Sequence, residues 1–188
     1  MRPALLASVL LIAGAGPDRP PLVPTREVSV LYRLLAAGKP QTEIRISSRP
    51  GGTIRRIDLP DQSYLLIDQA AKTMAMVVPS EGTILDVPWD TGLGSQFTLS
   101  EQMRFTRRAG ATVSRVACTL WDVVQDAQRG QVCVTDDGVM LRTEGVDPQG
   151  RHTAIEAVSV TYTPAPEADF APPAGFQHVV PGRPGSPR

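Results

Sequence analysis

Apolar and polar residues alternate along much of the chain, which is the pattern of half-buried β-strands. The segment EVSVLYR places Val28, Val30 and Tyr32 on one face, and TEIRISS repeats the alternation with Ile44 and Ile46. Turns rich in Gly and Pro separate such segments. Strands are predicted over residues 27–33, 42–48, 53–59, 62–68, 73–78, 111–120, 131–135, 139–144 and 151–163. Because sequential strands with short connections usually pair, the order predicts an antiparallel meander.

Two of these regions have an imperfect pattern. In residues 53–59 (TIRRIDL) the apolar Ile54 and Ile57 are three positions apart, so we expect a β-bulge or an imperfect alternation there. Residues 121–128 (WDVVQDAQ) leave two interpretations open, an extension of the preceding strand or a short turn. Further on, Asp137-Gly138 is a hairpin signal, because such a turn needs the positive φ that Gly adopts readily.

One helix is predicted, over residues 95–108 (SQFTLSEQMRFTRR), after an irregular stretch at 81–94. Ser100 or Thr98 ahead of Glu101 offers a helix cap, and Gly110 closes the segment. The arginines of this segment are open to two interpretations, an anion or lipid-headgroup contact and a solvated helix end. The expected fold class is therefore mainly β with one or two helices: a strongly curved antiparallel sheet, an open half-barrel, wrapped around a helix.

The termini predict an exported protein. Residues 1–15 read as a signal peptide, with a positive start, the apolar run ALLASVLLI and the small residues Ala13-Gly14-Ala15. The apolar run is too short for a membrane anchor, and no lipid-attachment cysteine lies near the cleavage point. Residues 16–24 are expected to form a disordered leader, 25–178 a single β-rich domain and 179–188 a disordered tail, with Phe176 docking back on the domain. The predicted location is the periplasm or the exterior.

The two cysteines, Cys118 and Cys133, are expected to form a disulfide in an oxidising compartment. Two buried free thiols are the alternative. Their spacing excludes a C-x-x-C redox site. The two histidines, His152 and His178, are not at ligand spacing from either cysteine, so no metal site and no cofactor are predicted.

Charge and motifs exclude several classes of function. The chain carries 19 basic and 19 acidic residues, which argues against nucleic acid as a partner, and no later segment is apolar and long enough to span a membrane. There is no nucleophile elbow and no phosphate loop. Asp136 and Asp137 could bind a cation or act as an acid/base pair, but we prefer a hairpin turn, because Asp-Gly is the usual chemistry of such a turn. The sequence predicts a protein that is not an enzyme.

The order of several segments resembles the periplasmic lipoprotein-carrier superfamily (LolA/LolB-like). The segments are EVSVLYRL, SYLLIDQAAKTMAMVVP, CTLWDV followed by GQVCVTDDGVMLR, and the close TAIEAVSVTYTPAPEADFAPPAGF. They cover most of residues 25–178. The resemblance implies an open β-barrel with an internal helix and an apolar cavity for acyl chains. The chain departs from the carriers in its cysteine pair.

Two functions of different classes follow. The first is a carrier that holds a hydrophobic, acyl-chain ligand in a β-cavity, with a lipid or lipoprotein as partner. The second is a structural or interaction module of the envelope, with a self-filled core and an envelope protein as partner. The methionines of TMAMVV fit either, since a methionine stripe marks an adaptable surface or ordinary core. The candidate cavity-lining residues are Tyr32, Met74, Met76, Trp89, Phe97, Met103 and Trp121.

Overall fold

A computed structural model of the chain describes residues 18–36, 40–89, 98–126, 128–146, 150 and 152–179. Within them, strands form one open sheet in the order β12-β6-β5-β4-β3-β2-β1-β11-β10-β9-β8-β7. The strands are β1 (Val28–Ala36), β2 (Thr42–Ser48), β3 (Ile54–Asp58), β4 (Tyr64–Asp68), β5 (Thr73–Val78), β6 (Thr83–Val87), β7 (Arg104–Val113), β8 (Val116–Gln125), β9 (Gln128–Val134), β10 (Met140–Val146), β11 (His152–Thr161) and β12 (Gln177–Val179). Neighbours are antiparallel, except that β12 runs parallel to β6. We call β1–β6 the first arm and β7–β11 the second arm.

Strand register explains how the sequence builds the core. Val30 lies opposite Ile46 and Val160, and Ile46 lies opposite Ile57. Because paired residues point to the same side of a sheet, these residues form one apolar row, and we call their side the inner face. Leu34, two pairs further along β1, shares that face. The main buried cluster includes this row and reaches both cysteines of the second arm.

The outer face of the first arm is also covered. Tyr64, Leu66, Val77 and Ile84 form a second buried cluster, and Phe176 packs against it, as expected for a segment that docks back on the domain. Its neighbour β12 then pairs with β6. The first arm is therefore buried on both sides around β4, where every side chain from Tyr64 to Ile67 is buried.

The predicted helix is wrong where the structure describes it. Arg104–Val113 is a strand, β7, and residues 98–103 before it are irregular. The described residues contain short 3₁₀ turns and no α-helix, so the sheet is not wrapped around one within them. The physical reason is position: β7 is an edge strand exposed on both faces, and the period-two alternation that identifies a strand is absent there. Residues 95–97 lie outside the described part.

Other departures are smaller. The structure has two strands that were not predicted: β6, inside the stretch expected to be irregular, and the short β12. Residues 121–125 are an extension of the preceding strand, because β8 continues to Gln125. Of the two outcomes expected for residues 53–59, the structure shows an imperfect alternation without a bulge, since the pairing of β3 with both neighbours runs without a shift. A buried arginine, Arg55, occupies the inner-face position beside Ile57 that an apolar residue would normally take.

The N-terminal leader makes specific contacts in its described part. Leu22 packs against a third apolar cluster, around Trp121. The Thr25 amide donates to the Asp137 carbonyl at 2.9 Å. Gly138 has φ of +86°, and a Cβ there would lie 2.1 Å from the Val23 carbonyl oxygen, so this turn requires glycine. These contacts involve Leu22 and Val23 of residues 16–24, and the disordered leader expected there stays a prediction. The predicted signal peptide (1–15) and residues 180–188 lie outside the described part.

No helix among the described residues is long and apolar enough to cross a membrane.

Candidate functional site

A cavity of about 1340 Å³ lies on the inner face. One wall is formed by β1 together with strands of the second arm. Leu34 on β1 is paired with Ile155 on β11, Ile155 is paired with Thr143 on β10, and Thr143 is paired with Val132 on β9. The first arm contributes β4 and β5 to the opposite wall. The apolar lining residues include Leu34, Ile67, Met74, Leu99, Met103, Val123, Val132, Met140 and Ile155. The cavity therefore has an apolar surface supplied by strands from both arms.

The segment before β7 and the third cluster form a further part of the wall. Leu99 is buried with Trp121, Val132 and Val134, and Met103 packs against them. The Trp121 ring meets the Phe105 ring edge to face, with centroids 6.4 Å apart and planes at 86°. Trp121 is 3% exposed and is not among the lining residues; it lies opposite the lining residue Val132 and is buried beside it.

Neutral polar residues occupy inner-face positions near the strand ends. Thr42 lies opposite Leu34, Thr153 lies opposite Ala36, and Gln125 lies opposite Gln128 across the β8–β9 turn. Together with Thr143 these side chains belong to the cavity lining. We call Thr42, Gln125, Gln128, Thr143 and Thr153 the mouth residues.

Buried polar groups lie on the inner face at a second, smaller cavity of about 40 Å³. The Tyr32 hydroxyl donates to the Met140 carbonyl at 2.6 Å, and Arg55 donates to the Thr98 hydroxyl at 2.9 Å. Burial raises the pKa of Tyr32 above its usual value and lowers the pKa of Arg55. Tyr32 therefore stays neutral in any ordinary buffer.

The structure separates the predicted cavity residues into three groups. Met74, Trp89 and Met103 line the large cavity. Tyr32 lines the small one, and Trp121 is buried in the third cluster beside the lining residue Val132. Met76 is half-buried against the main core, and Phe97 is outside the described residues.

Sequence reasoning missed most of the wall and all of the mouth. Val132, Thr143 and Ile155 come from three different strands, and only the pairing of those strands brings them together. The available signal was the alternation of side chains between the two faces. Once the Tyr32 side chain is placed on the inner face, every second residue of a regularly paired strand is expected on that face too.

The two cysteines lie at disulfide distance, as expected, with Cα atoms 5.5 Å apart. They are diagonal neighbours on β8 and β9, because Cys133 lies opposite Leu120. Both are buried in the main cluster, beside Val113 and Leu141. This pair joins two strands of the second arm that also carry the cavity wall.

The acidic turn and the histidines show no catalytic arrangement. Asp137 receives a hydrogen bond from Thr135 and an ion pair from Arg26 at 2.7 Å, so it acts as a turn residue. His152 and His178 are exposed, and the His178 Nδ1 is 3.9 Å from Asp86. The described residues include no cluster of three or more metal-ligand side chains.

No protein-family model matches this sequence, and no curated protein matches it significantly. Solved structures do match the fold. An uncharacterized conserved protein from Thermus thermophilus aligns over 84% of this chain and 91% of that chain, at 11% identity and a TM-score of 0.59. MucB, in complex with MucA(peri), aligns over 79% of this chain at 12% identity and a TM-score of 0.51. This chain spans about half of MucB, 54% of its length.

The matches also include a LolA superfamily protein from Nitrosomonas europaea. It aligns over 80% of this chain and 92% of that chain, at 9% identity and a TM-score of 0.40. Likeness at such identities shows a shared fold and nothing of function. About nine in ten aligned residues differ between this chain and these proteins, so a function depends on the residues of this chain's own cavity.

Proposed function

We propose that this protein is an exported, non-enzymatic carrier that holds the acyl chain of a lipid or lipoprotein in its inner-face cavity. The observation that carries the proposal is the cavity itself. Its volume of about 1340 Å³ exceeds the roughly 300–1,000 Å³ of common ligand pockets. Its walls are rich in aliphatic side chains and methionines, which suit a flexible hydrocarbon.

Burial of hydrocarbon supplies enough free energy for this function. Each methylene removed from water contributes about 0.8 kcal/mol, so ten methylenes contribute about 8 kcal/mol before the entropy cost of association. No covalent chemistry is needed. The predicted signal peptide places such a carrier in the periplasm or outside the cell, where the cysteine pair would be oxidised.

A second candidate is an interaction module of the envelope, and edge strand β7 favours it. Within the described residues, no strand pairs with the free edge of β7, and this strand carries the exposed residues Arg104 and Arg107. An exposed strand edge can accept a strand from a partner protein. MucB, which shares the fold, was solved with a protein partner.

The test is a pair of tryptophan substitutions on β11. Ile155 is half-buried and lines the cavity, whereas Val158 is exposed and lies outside the lining. We expect Ile155→Trp to fill the cavity and to weaken binding of radiolabelled palmitate or monopalmitoylglycerol by at least about tenfold, and Val158→Trp to change it by less than about twofold.

Thermal unfolding of both variants controls for loss of the fold. Native mass spectrometry of the purified wild type should show bound lipid or uptake of the added probe. A bare chain that takes up neither probe, or unchanged affinity in a folded Ile155→Trp variant, would contradict the carrier function and leave the interaction module as the better account.

A further inference from the structure

We propose that Met103 and Met140 form a site of reversible oxidation on the cavity wall, and that their conversion to sulfoxides weakens the binding of an apolar ligand. This inference rests on the proposed function, because it concerns a cavity that holds hydrocarbon. It adds a chemical control that a carrier does not by itself require. The oxidant is a peroxide, which a protein exported from the reducing cytosol can meet.

Methionines are concentrated at the large cavity. Apart from Met1 the chain has four methionines, and three of them, Met74, Met103 and Met140, line that cavity. Met74 is 4% exposed within the main cluster, whereas Met103 and Met140 are half-buried and pack against the third cluster. Met103 and Met140 therefore combine access through the cavity with a shared place on its wall.

Few other sulfur groups compete for an oxidant in this chain. The sequence contains two cysteines, and Cys118 and Cys133 lie at disulfide distance from each other. A thiolate is the form of cysteine that reacts with oxidants, and a disulfide has none to offer. With that pair oxidised, the thioethers of the methionines are the sulfur groups left to react.

The oxidation step uses one peroxide molecule for each methionine. A lone pair of the thioether sulfur attacks one peroxide oxygen, and the O–O bond breaks. The departing hydroxide takes the proton from the transferred hydroxyl group and leaves as water. Sulfur is oxidised by two electrons and the peroxide is reduced by two. The product is a polar sulfoxide, which methionine sulfoxide reductases convert back to the thioether.

A buried hydroxyl beside Met103 can stabilise the oxidised form. The Ser100 Oγ is buried and has no hydrogen-bond partner among the described residues, and Ser100 lines the same cavity. The Met103 amide donates to the Ser100 carbonyl at 3.2 Å, so the two residues belong to one turn. A thioether sulfur is only a weak acceptor, whereas a sulfoxide oxygen is a polar one. Oxidation of Met103 thus supplies an acceptor for the Ser100 hydroxyl.

The same oxidation makes the wall less suitable for hydrocarbon. Met103 and Met140 both pack against the apolar cluster around Trp121. The backbone of Met140 is held in place there, because its carbonyl accepts the Tyr32 hydroxyl at 2.6 Å. A polar S=O group covered by hydrocarbon loses its hydrogen bonds to water, and this desolvation opposes binding.

The first experiment measures binding before and after oxidation. Radiolabelled palmitate and monopalmitoylglycerol are titrated into the full mature chain before and after treatment with hydrogen peroxide, and peptide mass mapping locates the added oxygen atoms. We expect the affinity for the tighter-binding probe to fall by at least about tenfold once Met103 and Met140 are oxidised. Treatment with methionine sulfoxide reductases should restore it.

The outcomes separate this inference from the proposed function. Unchanged affinity in protein oxidised at both residues overturns the inference while the proposed function stands. The same holds if the reductases restore the thioethers without restoring the affinity. Binding of neither probe before oxidation overturns both.

The second experiment identifies the residues responsible, by comparing each variant after oxidation with the same variant before it. Met103→Leu/Met140→Leu replaces the thioethers with side chains of similar volume, and we expect its affinity to change by less than about twofold on oxidation. Met76→Leu is the matched control, because Met76 is half-buried but outside the cavity lining. It should lose affinity on oxidation as the wild type does. An equal loss in the double variant overturns the inference.

The third experiment tests Ser100 as the partner of oxidised Met103. Oxidation should lower the thermal unfolding midpoint by about 2–4 °C more in Ser100→Ala than in the wild type, because the sulfoxide then lacks its donor. Ser159→Ala is the matched control, since Ser159 is exposed on β11, and it should respond as the wild type does. An equal shift in Ser100→Ala and the wild type would overturn the assignment of Ser100 to this site.

Discussion

The two arms of the sheet are stabilised in different ways. In the first arm, β4 is buried on both faces, with the inner core on one side and the C-terminal segment on the other. In the second arm, β7 is exposed along nearly all of its length. The second arm has a cysteine pair between β8 and β9 and the buried Trp121 instead. One arm is covered by the chain's own end, and the other depends on local links.

The C-terminal segment is attached to the first arm by contacts along its length. The Ala165 amide donates to Glu27 at 2.5 Å, and Arg56 donates to the Asp169 carbonyl at 3.1 Å. Arg49 stacks over the Phe170 ring, 4.6 Å from its centroid. Cation–π contacts of this kind contribute about 0.5–2 kcal/mol each. Because these contacts are spread out, losing one should matter less than losing a single anchor of the second arm.

The largest effect is expected at Trp121. Substitution Trp121→Ala removes a nearly fully buried ring and its edge-to-face contact with Phe105. We expect the free energy of unfolding to fall by about 3–5 kcal/mol, measured by urea denaturation. Trp89→Ala is the control, because Trp89 is 40% exposed and its loss should cost less than about 1 kcal/mol. Similar costs for the two would mean that the second arm has no such anchor.

The cysteine pair should give the next largest effect. If the pair is oxidised, it closes a loop with a sequence separation of 15, and the chain-entropy model gives about 3 kcal/mol for such a loop. The double substitution Cys118→Ala/Cys133→Ala should therefore lower the free energy of unfolding by about that amount. Reduction of the wild type should bring it to a similar value.

The oxidation state has a direct check. The mass of the intact chain under non-reducing conditions should be lower by two hydrogen atoms than after reduction. Two free thiols in protein isolated from an oxidising compartment would remove the proposed link from the second arm, and the comparison would then rest on Trp121.

The same contrast explains what the sequence could predict. The first arm's strands alternate clearly, because their inner face is buried and several outer residues, such as Arg45, are exposed. The exposed edge β7 carries no such alternation, and a possible helix cap at Thr98 or Ser100 with Gly110 beyond favoured a helix. The cavity wall requires side chains from paired strands, and no local pattern reveals pairing. Arg55, a charged residue at an inner position, interrupts the alternation of β3, so the sequence left both a bulge and an imperfect alternation open.

A smaller effect is expected at Phe176. Its side chain is half-buried against the outer-face cluster of the first arm, so Phe176→Ala should cost about 1–2 kcal/mol. Limited proteolysis should then cleave the C-terminal segment faster, because β12 adds only three residues of pairing to β6. His178→Ala is the matched control, since His178 is exposed on the same segment. Equal proteolysis of the two variants would contradict Phe176 as the anchor of the tail.

The smallest effect concerns Asp137, which links the second arm to the leader. Burial alone would raise the pKa of this carboxyl, but hydrogen bonds from Thr135, Arg26 and Tyr162 outweigh burial and hold the pKa below its usual value. A carboxyl whose pKa is lower in the folded state stabilises the fold above its unfolded pKa of about 3.9. That contribution is lost as pH falls through the folded pKa.

Asp137→Asn should therefore cost about 0.5–1 kcal/mol at neutral pH and progressively less below about pH 4. Urea midpoints of wild type and variant, measured from pH 6 downward, should converge in acid. Asp136→Asn is the control, because Asp136 is exposed in the same turn. A constant gap between wild type and Asp137→Asn at every pH would mean that Asp137 acts through turn geometry alone. The leader would then be held to the second arm by the backbone bond from Thr25, without help from the Arg26 ion pair.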